Sequence, residues 1–517
     1  MKRLAVHPLG FVLAFLPGVA LAQGAAGASN PEVQQRLNEL KAMKKELQDK
    51  MQDFDARIRK LEAAEKEQAA QAAAAQKAAA SQKAAAELPA PSKPVLLATT
   101  PASAPAANAP QSTEPRKSKK NSGYQPGRGF ILSSGKMGEI EAHLIAYVRY
   151  LNQLNLDHSY TDSFGREKTL KLRQDVQFNK VNLSFRGWLF DPDFTYRAWI
   201  WTQQPAMGDG AQVVVAGQLG YHFNDHLNVY GGIAPLPSTR STNWTYPAWL
   251  KMDNRTIADE FFRASYSQGF WADGKIVDDV EYRVMIANNL SALGVSASQL
   301  DAGFNTISGA VWWMPTTGEF GALNGFGDYE QHQDLATQFG VHYTRSRESA
   351  QEQAGVNDFE NSQIRLSDGT QVFSVNAFNT PGQVNLATYQ MADFEAGLKY
   401  QGFSLEGEYY LRWVNDFRTI GVIPVSSLFD QGYSIQASAM VVPKQLQAYV
   451  AGSQVLGEYG NPWDLSVGLN WFPFLRNEMH INAQAIYLKH SPVGGLSYPY
   501  IVGGNGWLFN TDFILTF

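Results

Sequence analysis

From about residue 130 to the end of the chain, hydrophobic and polar residues alternate with a period of two. In EIEAHLIAYVRYL, an apolar set runs from Ile140 to Tyr150, whereas the alternate set includes Glu139, His143 and Arg149. The final residues, FNTDFILTF, repeat this alternation. Successive side chains of a β-strand point to opposite faces, so each stretch predicts a strand with one apolar and one polar face.

The same alternation recurs in KVNLSFRGWLF, DVEYRVMI, TQFGVHYTR, ADFEAGLKYQGFSLEGEYYLRW, WDLSVGLNWF and MHINAQAIYLK. With weaker cases included, the pattern predicts about sixteen strands. A soluble β-sandwich of this size would normally divide into domains, and no linker or helix interrupts this region. The predicted fold class is therefore all-β: a transmembrane antiparallel β-barrel of about 16 strands, with its apolar face toward lipid and its polar face toward a lumen.

Short turns such as FDPDF (190–194) and FNDHL (223–227) join some of these strands, and long Gly- and Asn-rich segments join others. Barrels of this kind have short turns at the periplasmic end and long loops outside. We therefore expect ALNGFGDYEQHQD and RESAQEQAGVNDFENSQIRLSDGTQ to be external loops. Aromatic residues near strand ends are expected at the two membrane interfaces; they include Trp188, Phe190, Trp413, Trp471 and Phe472.

The N-terminal part of the chain has a different character. Residues 1–22 predict a secretory signal peptide, because Lys2 and Arg3 precede an apolar run that ends in the small-x-small sequence Ala-Leu-Ala. The alternative, a membrane anchor, fits the two prolines in this run poorly.

A heptad repeat follows the signal peptide. Residues 23–62 predict a periplasmic coiled-coil helix whose apolar seam is broken once, at Lys44. The alternative is a lone amphipathic helix packed on the rest of the protein. Residues 63–122 are rich in Ala and Pro and predict a linker, which leaves residues 123–517 for the outer-membrane β-barrel pore.

Composition excludes several classes of function. The chain has no cysteine, which removes disulfides and thiolate metal sites. Residues 1–121 carry 18 of the 43 basic and 11 of the 48 acidic residues, so the remainder holds 25 basic and 37 acidic residues, a net charge of −12. An acidic body argues against nucleic acid as a partner. No GxSxG, HExxH or P-loop motif is present, so we expect no catalytic residue, cofactor or metal, although a Ser/His pair from distant strands, as in an outer-membrane lipase, stays open.

The C-terminal residues Phe513, Leu515 and Phe517 resemble the assembly signal of bacterial outer-membrane barrels, which implies the barrel-assembly machinery as a partner. The stretches KVNLSFRGWLFDPDFTYRAWI, GGIAPLP and VGLNWFPFLRNEMHINAQAIYLKH look like the phosphate-selective porin O and P family. That resemblance implies a homotrimeric sixteen-stranded porin in the bacterial outer membrane. It also implies a loop folded into the lumen and basic residues along an anion path.

The sequence departs from that family in the sign of its predicted lumen residues. The basic members are Arg149, Lys180, Arg186, Arg197, Arg283, Lys399 and Arg412. The acidic members are Glu139, Glu141, Glu281, Asp393, Glu395, Glu406 and Glu408. Mixed signs predict a transverse field in the pore in place of an unbroken anion ladder.

Residues 231–263, GGIAPLPSTRSTNWTYPAWLKMDNRTIADEFFR, combine cations with aromatic residues and prolines after a strand. We expect this stretch to fold inward and narrow the pore, offering guanidinium donors to anions and aromatic faces to sugar rings. The expected constriction residues are Arg240, Trp244, Trp249, Lys251, Arg255 and Arg263. An external loop or a trimer contact is the alternative.

The expected function is passive diffusion of small hydrophilic solutes or ions, including anions such as phosphate, through a water-filled channel. Two alternatives remain. One is a carbohydrate-selective porin or a sugar-binding barrel, in which the tryptophans stack on sugar rings. The other is a structural tether that holds the envelope through the coiled coil.

Overall fold

The computed structural model describes residues 123–203, 212–293, 295, 299–300, 303–355, 362–494 and 499–517, together with Lys41 and Lys45, which are helical. The predicted signal peptide, and the coiled coil and linker apart from these two lysines, lie outside the described residues. The described strands belong to the unit Ala104–Phe517.

The described strands number twenty. They are β1 (Gly123–Gln125), β2 (Gly129–Gly135), β3 (Gly138–Leu156), β4 (Ser159–Thr161), β5 (Glu167–Thr169), β6 (Gln174–Leu189), β7 (Asp191–Gln203), β8 (Gln212–Asn224), β9 (Leu227–Pro235), β10 (Tyr266–Val277), β11 (Val280–Ala287), β12 (Thr306–Trp313), β13 (Ala336–Ser349), β14 (Gln383–Tyr400), β15 (Phe403–Ile420), β16 (Leu428–Val442), β17 (Leu446–Gly457), β18 (Trp463–Trp471), β19 (Met479–Lys489) and β20 (Gly506–Thr516).

Sixteen of these strands, β3 and β6 to β20, form one closed antiparallel barrel. Each pairs with the next in the chain, and β20 pairs with β3 to close the ring. Closure leaves no unpaired sheet edge around the barrel. The expected all-β barrel of about sixteen strands is confirmed. The hairpin β1–β2 continues the wall below the end of β20, and β4–β5 form a separate small sheet.

The apolar face of the barrel points outward. In β20, Phe509 and Phe513 are 41% and 38% exposed, whereas Asn510 and Asp512 are buried at 1% and 0%. The alternation predicted for the C-terminal stretch is therefore present, with its polar set inside. A barrel that is apolar outside and polar inside is the inverse of a soluble protein.

The outward apolar surface forms a belt. On β15 the belt runs from Phe403 to Trp413, both exposed. This distance is about 33 Å along the strand, which corresponds to a height of about 25 Å along the barrel axis for a strand tilted by about 40°. Trp471 is also exposed, as expected for an interfacial residue. The interface position expected for Phe472 is wrong, because its ring is buried and packs against Tyr329.

A buried ion pair lies at the seam where the barrel closes. Arg149 of β3 and Asp512 of β20 are fully buried partners, with 2.5 Å between Nε and Oδ1. The terminal Phe517 extends the same seam, since its amide donates to the Leu144 carbonyl at 2.9 Å. Its ring packs edge-on against Phe130 of β2.

The direction of the strands places the long segment 314–335 at the same end of the barrel as the short turns. Barrel strands with even numbers run toward the end where turns such as Phe190, 225–226 and 401–402 lie, which we call the turn end. Because β12 runs this way, the segment 314–335 between β12 and β13 also lies at the turn end. The expectation that ALNGFGDYEQHQD is an external loop is therefore wrong.

Helical structure is scarce in the described part of the chain. Besides Lys41 and Lys45, the helical residues are those of one α-helix, α1 (Ile257–Phe262), and of short 3-10 turns at Arg240–Thr242 and Ala322–Asn324. No helix there is long and apolar enough to cross a membrane.

Candidate functional site

The inner loop, residues 236–265 between β9 and β10, crosses the interior of the barrel. Its helix α1 reaches the opposite wall, where the Ala258 amide donates to Ser453 Oγ of β17 at 3.0 Å. The Phe262 ring stacks on Tyr410 of β15 with centroids 5.1 Å apart. The inward fold predicted for residues 231–263 is therefore present.

Arg240 binds the inner loop to the barrel wall. Its Nη2 lies 2.8 Å from Glu406 Oε2, and its backbone amide donates to Glu408 Oε1 at 2.9 Å. The same Nη2 donates to the carbonyls of Asn324 and Gly325 at 3.1 and 3.0 Å. With 2% exposure, this guanidinium is held among partners inside the protein and faces no open water.

The other predicted constriction cations are also paired. Lys251 Nζ donates to Tyr500 Oη at 2.9 Å and lies 3.4 Å from Asp464. Arg255 and Arg263 both contact the carboxylate of Glu260.

The two tryptophans of the stretch are placed differently. Trp249 is buried and packs under the guanidinium of Arg255, 4.2 Å away. Trp244 is half-buried and extends toward the opposite side of the interior, where it meets Arg197 and Arg283. Of the predicted constriction residues, Trp244 therefore lies nearest to the charges of that opposite wall.

A second segment enters the barrel from the turn end. This turn-side segment, residues 314–335, buries Phe320 completely and meets the inner loop, because the Phe326 amide donates to the Ala248 carbonyl at 2.8 Å. Lys399 of β14 donates to the carbonyls of Phe320 and Gly325 at 2.7 and 2.6 Å. Together the inner loop and the turn-side segment fill the interior beside this wall.

Glu406 connects both inner segments to the wall. Its Oε2 pairs with Arg240 of the inner loop, and its Oε1 accepts from the Gly327 amide of the turn-side segment at 2.8 Å. One carboxylate therefore holds two segments that enter from opposite ends.

A histidine clasp fixes the turn-side segment to the turn between β14 and β15. His332 Nδ1 lies 2.5 Å from Asp328 Oδ1, and Nε2 lies 3.1 Å from Glu319 Oε1. Asp328 also accepts from the Gly402 amide at 2.7 Å. The hydrogen bond to Asp328 raises the pKa of His332 above 6.5. Burial raises the pKa of Asp328, but the hydrogen bonds from His332 and Gly402 outweigh it and lower the pKa below 3.8.

These shifts predict that the clasp weakens as pH rises. Because the pKa of His332 is raised by folding, its contribution is complete below about 6.5 and is lost as pH rises through the higher folded value. The lowered pKa of Asp328 keeps that carboxylate charged throughout this range. We expect amide exchange in residues 314–335, corrected for intrinsic rates, to be slower at pH 6 than at pH 8.5, reflecting about 1.5–3 kcal/mol of local stability.

His332→Gln supplies the control for this experiment. Glutamine can still hydrogen-bond but does not titrate, so the difference between the two pH values should disappear in the variant. Equal protection of the wild-type segment at pH 6 and pH 8.5 would contradict the proposed clasp.

The charged residues predicted to line the pore divide into two groups. All nine predicted pore-lining residues lie on the inner face of the barrel. Those that are covered by the inner segments or paired across the seam are Arg149, Lys180, Lys399, Glu408 and Arg412, all at or below 5% exposure. Lys180 pairs with Asp253 of the inner loop at 3.0 Å. Arg412 pairs with Asp430 at 2.7 Å.

The second group, Glu141, Arg186, Arg197 and Arg283, lies on the wall formed by β3 and β6 to β11, toward the turn end. Glu141 is itself buried, and the three arginines are partly exposed. The side chains of Arg186 and Arg283 are 38% and 16% exposed. Arg186 pairs with Glu141 at 2.8 Å, and Arg128 contacts Glu141 as well. We call this surface the open wall.

Arg197 differs from its neighbours on the open wall. Among the described residues it has no carboxylate partner, and its Nε makes no hydrogen bond. Its guanidinium carbon lies 5.4 and 5.3 Å from the ring centroids of Trp199 and Trp244. Arg283, by contrast, is neutralised by Asp273 at 3.2 Å. Arg197 is therefore the guanidinium on this wall whose charge is not balanced by a described carboxylate.

Sequence reasoning missed the residues of the turn-side segment, including Phe320, Asp328 and His332. Its Gly- and Asn-rich composition is typical of an external loop. The signal that could have located it was strand parity counted back from the C-terminus, because four hairpins separate β13 from the end of the chain.

No protein-family model matches the sequence, and no curated protein matches it either. Among solved structures, an anion-selective porin from Comamonas acidovorans is similar with 11% identity, a TM-score of 0.45 and coverage of 74% of this chain and 100% of that chain. Salmonella typhi OmpF, in complex with daunomycin, shows 11% identity, a TM-score of 0.44 and coverage of 74% and 98%. The outer membrane channel DcaP of Acinetobacter baumannii shows 8% identity, a TM-score of 0.44 and coverage of 75% and 99%. At such identities and TM-scores these likenesses carry no argument about function, and the strand pairing itself establishes the closed barrel.

Proposed function

We propose that this protein is an outer-membrane porin through which small hydrophilic solutes diffuse passively along the open wall. The observation that carries the proposal is a closed sixteen-stranded barrel whose exposed outer face is an apolar belt about 25 Å tall. Such a belt matches the hydrocarbon of a bilayer, and a barrel leaves no backbone group unpaired there. The charged inner face then needs water, and solutes can share that water.

We propose further that the pore favours anions. The charges of Arg186 and Arg283 are balanced by acidic neighbours, which leaves Arg197 as an excess positive charge beside the remaining water. Phosphate is one anion of suitable size. In this proposal the predicted constriction cations do not face the solute: Arg240 and Lys251 bind the inner loop to the barrel wall, and Arg255 and Arg263 pair with Glu260 inside the loop. Trp244 borders the solute path.

Arg197→Gln tests the anion preference. Loss of one unit charge near a permeating ion should lower the anion permeability by about fivefold, since such a pair interacts by about 1 kcal/mol in water. Because the same loss favours cations, the ratio of anion to cation permeability should fall by at least that factor. The measurement is the reversal potential of purified protein in a planar bilayer under a salt gradient, with a shift toward cation selectivity expected.

Lys444→Gln is the matched control, because it removes the same charge from an exposed turn. If both variants shift the reversal potential equally, Arg197 has no special role in selectivity. If wild-type protein gives no conductance at all, the porin function itself is wrong.

The sugar-specific alternative rests on Trp244, whose half-buried ring borders the open wall. Block of the current by sugar would favour that alternative, whereas block by phosphate would favour the anion path. A tether function through residues 23–62 is tested by deleting residues 23–121. Full conductance and full envelope attachment of that variant would argue against it.

We also propose a homotrimer and recognition of Phe513, Leu515 and Phe517 by the barrel-assembly machinery. The outward positions of Phe513 and Leu515, and the pairing of Phe517 with Leu144 at the seam, support a role of this strand in closing the barrel.

A further inference from the structure

The outward-facing side chains of β13 change from apolar to cationic after Tyr343. Phe339, Val341 and Tyr343 are exposed and belong to the apolar belt, and the next two outward residues are Arg345 and Arg347. Both arginines are exposed, whereas the residues between and beside them, Ser346 among them, are buried inside. The outer surface of this strand therefore passes from aromatic to cationic toward the loop end.

The neighbouring strands place the edge of the belt at the same level. Arg345 pairs in register with Gln390 of β14, which in turn pairs with Trp413 of β15. The Tyr343 hydroxyl donates to Gln390 Oε1 at 3.0 Å. A tryptophan and a hydrogen-bonded tyrosine are typical of the interface between hydrocarbon and polar headgroups, so Arg345 lies at headgroup level.

A third arginine extends this surface. Arg418 of β15 is exposed and pairs in register with Leu386 of β14, directly beyond the row that contains Arg347. Two strand spacings separate β13 from β15, which is about 10 Å. We call Arg345, Arg347 and Arg418 the outer arginine patch.

The outer arginine patch is not neutralised within the described part of the protein. No ion pair joins any of the three guanidinium groups to a described carboxylate, although such pairs are frequent on the inner face. Guanidinium groups bind phosphate oxygens through paired N–H donors, and three of them at one level favour a ligand with more than one phosphate.

We propose that the outer arginine patch binds the phosphate groups of an anionic glycolipid in the outer leaflet of the membrane. The inference rests on the proposed membrane location, and it goes beyond solute passage because the patch lies outside the barrel. The acyl chains of such a lipid would pack on Phe339, Val341 and Tyr343, directly below the arginines. The bound lipid then covers the belt on β13 to β15.

The test uses full-length protein in detergent micelles and a bisphosphorylated lipid A, with bound lipid counted by native mass spectrometry. Arg345→Gln, Arg347→Gln and Arg418→Gln combined should weaken binding about a hundredfold, since each arginine near an anionic lipid surface contributes about a factor of five. Lipid A without its phosphates should bind wild-type protein as weakly as it binds this triple variant.

A second triple variant is the control, with Lys136→Gln, Lys444→Gln and Arg476→Gln at exposed positions of the turn end. It removes the same charge and should keep the wild-type affinity. Equal loss in both triple variants would overturn the proposal. So would inorganic phosphate displacing the lipid at low millimolar concentration, because free phosphate would then be the ligand. Single-channel recordings of the patch variant separate the two proposals: a conducting channel that still binds lipid A refutes the lipid site alone, whereas a silent wild-type barrel refutes the porin.

Discussion

The Arg240→Ala variant is expected to lose about 3–5 kcal/mol of the free energy that holds the inner loop and the turn-side segment together, and to conduct more current than the wild type. Arg240 is buried against Glu406 and donates to two carbonyls of the turn-side segment. Alanine would leave the Glu406 carboxylate buried without its arginine. The least costly response is for water to reach that carboxylate, which requires the turn-side segment to move aside.

Two measurements test the expected release of the turn-side segment. Single-channel conductance should rise, because the segment that fills the interior beside β14 and β15 is released. Amide exchange in residues 314–335 should accelerate, while the barrel strands stay protected. A rise in conductance without faster exchange would place the effect elsewhere.

Two variants sharpen the interpretation. Arg240→Lys keeps the positive charge near Glu406 but does not hold its donors in the fixed plane of the guanidinium, whose Nη2 serves Glu406 and both carbonyls. An intermediate effect is therefore expected. Arg255→Gln removes an inner-loop arginine that contacts Ser241 and Glu260 of the same loop. Its conductance should stay close to that of the wild type. Unchanged conductance and stability in Arg240→Ala would refute the bracing role.

The barrel fold could be predicted from the sequence because the alternation of apolar and polar side chains is a local property of each strand. FNTDFILTF and EIEAHLIAYVRYL each define an outer and an inner face from a few neighbours in the chain. The register follows from which face is apolar, since a slip of one residue would place Phe509 inside and Asn510 in the apolar belt. The strand count and the inner-face positions of residues such as Arg197 and Glu408 could therefore be predicted.

The interior could not be predicted in the same way. Whether Arg240 meets water or Glu406 depends on where two distant segments fold, and periodicity does not contain that information. The residues of 231–263 suggested a constriction lined by cations facing solutes. In the structure their charges are bound by Glu406, Asp464 and Glu260, so the positive charge beside the open wall comes from Arg197 on a strand.

The location of the turn-side segment was predicted wrongly for the same reason: it depends on distant contacts. Composition alone does not distinguish a surface loop from a segment folded into a polar lumen, because both can satisfy their backbone groups with polar neighbours or water. Phe320 and Phe326 were the local hints, since aromatic side chains in a Gly-rich segment need a surface to cover. Here they lie under Arg240 and Lys399 as cation–π partners.

Asp512→Asn is expected to destabilise the barrel by about 3–5 kcal/mol, because it leaves Arg149 as an uncompensated charge at the seam between β3 and β20. Both side chains are fully buried, so water does not solvate the arginine in place of the lost carboxylate. The Asn510 side-chain Nδ2 also donates to Asp512, at 2.7 Å.

The measurement is the free energy of unfolding by urea from detergent micelles, with retention of the compact form in unheated gels as a second readout. Asp512→Leu combined with Arg149→Met removes both charges, and its stability should lie closer to the wild type than that of either single variant, because the desolvation cost disappears together with the attraction. If instead the two single losses simply add in the double variant, Arg149 and Asp512 stabilise the barrel independently, and the seam is closed by its backbone ladder and apolar contacts.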